Sequence, residues 1–133
     1  MTIRIRAGCA MIVAASALAA CAETGPAYGP LATNTSATII MSGLHFQPET
    51  THVKVGSTVE WRNQSSFTHS VNANPARFPD DVSIPAGAAP FDSGRIPSGG
   101  IYRHTFDVPG TYNYVCLPHV DFGMGGTIVV DPR

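Results

Sequence analysis

Three residues with an affinity for soft metal ions lie close together between positions 116 and 124. They are Cys116, His119 and Met124, in the run Tyr112-Asn113-Tyr114-Val115-Cys116-Leu117-Pro118-His119-Val120-Asp121-Phe122-Gly123-Met124-Gly125-Gly126. A thiolate, an imidazole and a thioether on one tight loop can enclose a single ion from three sides. Thiolate and imidazole with a weak axial thioether select copper, and the set that tunes a one-electron copper couple contains two imidazoles. The second imidazole must then come from elsewhere. His69 is the best placed, because it follows the segment carrying Trp61 after the short stretch Asn63 to Thr68 and would lie beside the Cys116 loop.

Other chemistries fit these residues less well. Cys116 alone reads equally as a buried small hydrophobe. A Cys–His nucleophilic pair would need an orienting third group and an oxyanion hole, and no residue supplies them. Zinc draws on His, Cys and carboxylates, with Met outside its usual ligands. Met41, in an apolar segment, reads as packing. His45 and His52 read as surface or strand-edge histidines, His104 as an inward-facing, hydrogen-bonded one, and Asp80-Asp81 as a solvated loop pair.

The elements that must hold this loop are strands. The chain has 133 residues, room for one domain, and hydrophobic residues make up 44% against 13% charged. With 13 glycines and 11 prolines and no helical stripe, the composition points to a turn-rich β protein. It excludes a coiled coil, a disordered polyelectrolyte and a nucleic-acid binder working through a basic surface. Ala37-Thr38-Ile39-Ile40-Met41 reads as one strand. Val53/Val55 and Val59/Trp61 mark two more, separated by the turn at Gly56-Ser57. A further segment surrounds His69-Ser70-Val71. Asn74 to Gly100 is a long excursion rich in proline and glycine. Tyr102/His104/Phe106, then Tyr112/Tyr114/Cys116, then Thr127 to Val130 complete the set. About seven strands in roughly 100 residues predict a β-sandwich with Greek-key connections.

Before this domain lies a targeting segment. Residues 1–20 combine Arg4 and Arg6 with an Ala-rich apolar stretch and end in Leu18-Ala19-Ala20-Cys21, which resembles the bacterial lipobox. Cleavage there would leave Cys21 as a lipid-bearing N-terminus, and residues 21–36 would form a flexible tether. Basic residues would fall from 8 to 6 beside 9 acids, a side-chain charge of −3. Cys9 would leave with the signal, so Cys116 would be the sole thiol of the 37–133 domain.

The pattern Cys116-x-Pro118-His119-x-x-x-Gly123-Met124-x-Gly126 resembles the ligand loop of the plastocyanin-like members of the cupredoxins. Val55-Gly56-Ser57-Thr58-Val59-Glu60-Trp61-Arg62-Asn63, His69-Ser70-Val71, Phe91-Asp92-Ser93-Gly94 and Phe106-x-x-Pro109-Gly110-Thr111-Tyr112 match in the same order. The resemblance implies an all-β, cupredoxin-type Greek-key β-sandwich of seven to eight strands and a type 1 copper ion on His69, Cys116, His119 and Met124. It implies an electron shuttle between redox proteins and no enzymatic activity. A copper carrier on the same fold is the alternative, disfavoured because the expected mature chain lacks a Met- or His-rich tract. Pro118, Val120 and Phe122, with Phe67 from the other loop, are expected to form an apolar electron port around the second histidine. Many relatives carry Asn after the first histidine, where it ties the ligand loops together. Here that position is Ser70, with a shorter hydroxyl. The expected molecule is a lipid-anchored monomer outside the cytoplasm, with membrane contact through Cys21, protein redox partners and no nucleic acid.

Overall fold

Alternation of large apolar and polar side chains generates two sheets whose inner faces share one core. The computed structural model describes residues 35–133. The expected signal segment, Cys21 and all but the last two residues of the expected tether lie outside the described residues. The strands are β1 (Thr35–Ser42), β2 (His45–Gln47), β3 (Thr50–Lys54), β4 (Ser57–Asn63), β5 (Asn72–Ala73), β6 (Phe91–Asp92), β7 (Ile101–Phe106), β8 (Gly110–Val115) and β9 (Gly125–Asp131). β1 begins at Thr35, so Thr35 and Ser36 are strand where a tether was expected.

One sheet has the order β2-β1-β4-β7 and the other β3-β9-β8-β5-β6. β1 runs parallel to β4 and β3 parallel to β9, while the remaining pairs are antiparallel. The first sheet turns Ile39, Met41, Val59, Trp61 and Phe106 inward, and the second opposes them with Val53, Tyr112, Tyr114, Ile128 and Val130, all buried. Burying each such side chain contributes on the order of 1.5–3 kcal/mol. Tyr114 stands opposite Gly126 in the β8–β9 register. A Cβ on Gly126 would come within 2.4 Å of the Tyr114 hydroxyl oxygen, so only glycine leaves the ring its place.

Nine strands are present among the described residues, against the seven to eight expected. The surplus lies in β2, three residues with Phe46 alone turned inward, and in the two-residue strands β5 and β6. The His69-Ser70-Val71 segment is strand only in part. His69 makes a single bridge to Ile96, and β5 begins at Asn72. The excursion from Asn74 to Gly100 is irregular apart from β6 and the bridges of Ser83 and Ile96.

His104 does lie on the inward-leaning side of β7, half-buried, but no side chain or backbone group among the described residues hydrogen-bonds to its ring. It is stacked on Phe91 instead, with centroids 4.0 Å apart and planes at 24°. Flanked by Phe91 and Phe106, the imidazole meets aromatic faces where a hydrogen-bond partner was expected.

Candidate metal centre

At one end of the sandwich, β8 runs out at Val115 and delivers Cys116 into the interior, fully buried. Pro118 opens a short 3₁₀ helix, Leu117–Phe122, which Gly123 ends in the left-handed conformation at φ 74°. The loop closes on itself through its backbone. The Cys116 N–H donates to the Met124 carbonyl (2.9 Å), that of His119 to the Cys116 carbonyl (3.0 Å), and that of Met124 to the His119 carbonyl (3.2 Å). Met124 is buried at the base of this closed turn.

His69 arrives from the other side, on the connection that leaves β4 of the first sheet for β5 of the second. Paired backbone bonds with Ile96, 3.0 and 2.8 Å, fix its main chain. The Cys116 Sγ lies 3.5 Å from His69 Nδ1 and 3.4 Å from His119 Nδ1. One donor atom from each of the three residues falls within 4.8 Å of the others, and the two imidazole centroids are 4.9 Å apart. Among the described residues no other group of three or more His, Cys, Asp or Glu side chains converges in this way.

Two hydrogen bonds join the ligand-bearing loops. The Ser70 N–H donates to Cys116 Sγ (3.4 Å), and the Ser70 hydroxyl accepts from the Leu117 N–H (2.7 Å). The shorter side chain at position 70 therefore still spans the loops. Burial pushes the Cys116 thiol pKa up, and the hydrogen bonds from Ser70 and the His119 backbone oppose that shift. Burial also lowers the pKa of His69, and the nearby His119 adds to the effect. A site that disfavours extra protons on its imidazole, holds one sulfur and two ring nitrogens, and has no carboxylate in the cluster suits a soft transition metal.

The ring of His119 lies between two exposed aromatics. Phe67 is 53% exposed with its centroid 6.1 Å away, and Phe122 is 72% exposed at 6.4 Å. Pro118 is exposed beside them. Val120 departs from the expected patch: it is half-buried and packs against the core, because the 3₁₀ turn carries it to the inner side. His45, His52 and the Asp80-Asp81 pair are exposed, and Met41 is buried in β1, away from the ligand loop. Sequence reasoning passed over Asn63 and Ser65. The Ser65 hydroxyl lies 2.7 Å from His69 Nε2, and Asn63 bonds Ser65 in turn. An Asn-x-Ser run that places Asn63 six and Ser65 four residues before the histidine was the signal available.

Known proteins share these features. The profile of copper binding proteins of the plastocyanin/azurin family matches residues 33–131. The plastocyanin of Scenedesmus fuscus is 36% identical over 87 residues, covering 65% of this chain and 87% of the relative. Amicyanin-alpha of Methylorubrum extorquens is 30% identical over 96 residues, 72% of each chain. A reduced tryptophan-to-tyrosine variant of amicyanin superposes with a TM-score of 0.61 at 27% identity, covering 77% of this chain and 87% of that one. A sandwich with one His-Cys-His cluster and this kinship makes the molecule a type 1 copper electron carrier, not an enzyme. The chain belongs to the plastocyanin/azurin family of copper binding proteins.

Proposed function

We propose that His69, Cys116 and His119 hold one copper ion, that Met124 is its axial ligand, and that the protein carries single electrons between redox proteins outside the cytoplasm. The observation that carries this reading is the convergence of three donor atoms within 4.8 Å at the end of a rigid sandwich. Copper bound there supplies a one-electron couple between Cu(II) and Cu(I). The residues do the rest by staying still. The paired backbone bonds of His69 with Ile96 and the closed Cys116–Met124 turn keep the donors in place whichever charge the site carries. Ser70 places an N–H dipole on the sulfur, where it balances negative charge.

His119 is the half-buried imidazole of the pair, whereas His69 is fully buried. Electrons are therefore proposed to enter and leave through the His119 edge, with Phe67, Pro118 and Phe122 as the apolar surface that a partner covers. Val120 supports that surface from below. The Leu18-Ala19-Ala20-Cys21 sequence supports lipid attachment at Cys21 and tethering to a membrane. The test is the visible spectrum of the purified, copper-loaded protein. An intense thiolate-to-copper band that vanishes in Cys116→Ala is the expected result. A colourless wild type, or a Cys116→Ala variant that keeps the band, overturns the assignment.

A further inference from the structure

The hydrogen bonds behind His69 can be assigned donor by donor. Asn63 is buried, and its Nδ2 donates to the carbonyls of Phe67 (2.7 Å) and Ile96 (3.0 Å). Carbonyls only accept, so the amide cannot be turned round, and Oδ1 must face Ser65 as an acceptor. It receives the Ser65 N–H at 3.0 Å and lies 2.9 Å from Ser65 Oγ. That hydroxyl has one hydrogen and two lone pairs. One lone pair takes the Phe67 N–H at 3.1 Å.

Three acceptors lie within reach of the hydroxyl hydrogen: Asn63 Oδ1, His69 Nε2 and, at 3.3 Å, the Phe67 carbonyl. If the hydrogen goes to Asn63 Oδ1, the second lone pair is available to a proton on His69 Nε2 at 2.7 Å, and only the longer approach to the Phe67 carbonyl is left unmatched; giving the hydrogen to that carbonyl instead leaves the same lone pair for Nε2. If the hydrogen goes to Nε2 instead, the Oγ–Oδ1 contact sets two acceptors 2.9 Å apart. The ring proton then moves to Nδ1, against the Cys116 sulfur. Both assignments that keep the hydrogen off Nε2 give the fully buried His69 ring a partner on a half-buried hydroxyl, and the one with Asn63 Oδ1 as acceptor matches the shorter contacts.

We infer that Ser65, oriented by Asn63, is a positioning residue that holds His69 as the Nε2–H tautomer and so presents the Nδ1 lone pair to the metal site. This rests on the reading of His69 as a ligand. A hydroxyl on the residue four before the histidine is thus a device for choosing a tautomer before any ion arrives. Its effect on the site is indirect, because the hydrogen bonds of Ser65 run to Asn63, Phe67 and His69 and none to Cys116 or His119 among the described residues.

The test is long-range proton–nitrogen NMR on the copper-free protein, labelled with ¹⁵N-histidine and held above the ordinary histidine titration range. His69 in the wild type should show the pure Nε2–H pattern. Ser65→Ala should show a mixture containing Nδ1–H, with copper affinity about tenfold or more weaker in a chelator competition. Ser65→Thr, which keeps a hydroxyl, should restore both. An Nδ1–H wild type overturns the inference without any variant. So does a Ser65→Ala protein with pure Nε2–H and wild-type copper affinity. The blue band of the loaded wild type is read separately, so failure of the ligand assignment and failure of the tautomer device are told apart.

Discussion

The indole Nε1–H of Trp61 donates to the hydroxyl of Tyr114 across the middle of the sandwich, at 3.1 Å, with both side chains buried. Trp61 belongs to β4 of one sheet and Tyr114 to β8 of the other, and their rings meet edge to face at 88°. The bond is thus a polar tie between the layers, with Tyr114, on β8, two residues before Cys116. Tyr114→Phe keeps the ring and strands the indole N–H without a partner. Such a loss costs about 1–3 kcal/mol. Denaturant unfolding should show that drop, while the copper spectrum stays unchanged. An unaltered midpoint would mean that the tie contributes nothing to stability.

Replacing either histidine should open a coordination position that external imidazole can fill, but not equally. His119 has an edge toward solvent between Phe67 and Phe122, whereas His69 is fully buried. His119→Gly is expected to recover its visible band at lower imidazole concentration than His69→Gly. Equal titration midpoints would count against the exposed edge as the entry to the site.

Met124 gives a test of the axial position. A thioether favours Cu(I), and an amide oxygen is harder and favours Cu(II). Met124→Gln should lower the reduction potential and Met124→Leu should raise it. Met41→Leu is the control, since Met41 is core packing in β1. Voltammetry on the three proteins decides the matter. Potentials for both position-124 variants equal to the wild type would remove Met124 from the ligand set.

The His104 ring offers a pH test away from the copper. Burial lowers its pKa below the ordinary histidine value of 6.5, with the Asp107 charge opposing. The unfolded chain therefore binds a proton here that the folded chain resists. Stability is intact above about pH 6.5 and falls as the pH drops below it. His104→Phe keeps the stack on Phe91 and removes the proton. The difference in unfolding free energy between variant and wild type should be flat above about pH 7 and shift in favour of the variant on acidification. Taking the difference also cancels the contribution of His69, whose pKa burial likewise lowers. A difference that is constant with pH would show that His104 does not resist protonation.

Cys21→Ser should release the protein from the membrane fraction and leave the visible band untouched. Fractionation and mass analysis of the wild-type N-terminus make the check. A wild-type Cys21 without lipid sinks the anchor.

What could be read from the chain follows the range of the interactions. The Cys116–Met124 turn was legible because its donors, its proline and its glycine stop are local. The long strands β1, β4, β7, β8 and β9 were legible through alternation. β2, β5 and β6 were not, since two or three residues carry no period and become strands only through partners such as Met41 and Val115. The alternation Tyr102/His104/Phe106 gave the facing of His104 correctly. It could not foresee that Phe91, from the irregular excursion, would occupy the place of a hydrogen-bond partner. Val120 looked like surface by its neighbours, and only the rotation of the 3₁₀ turn reveals which way it faces. The Asn-x-Ser run was visible, but the partnership of Asn63, at the end of β4, with Ser65 acquires meaning only when the carbonyl of Ile96 comes into reach.

The backbone closure of the Cys116–Met124 turn has a consequence for assembly. Three proposed donors sit on nine consecutive residues, so they stay close along the chain even when the sheets are gone. A metal that also holds the unfolded chain adds less to folding stability than its affinity for the native site suggests. The difference between the two states then rests mainly on His69, 47 residues before Cys116. Closing that span costs roughly 1.5 kcal/mol more in chain entropy than closing the short turn. Copper present during refolding can thus be captured by the turn first, leaving the arrival of a single distant imidazole as the event that couples the metal to the formed sandwich.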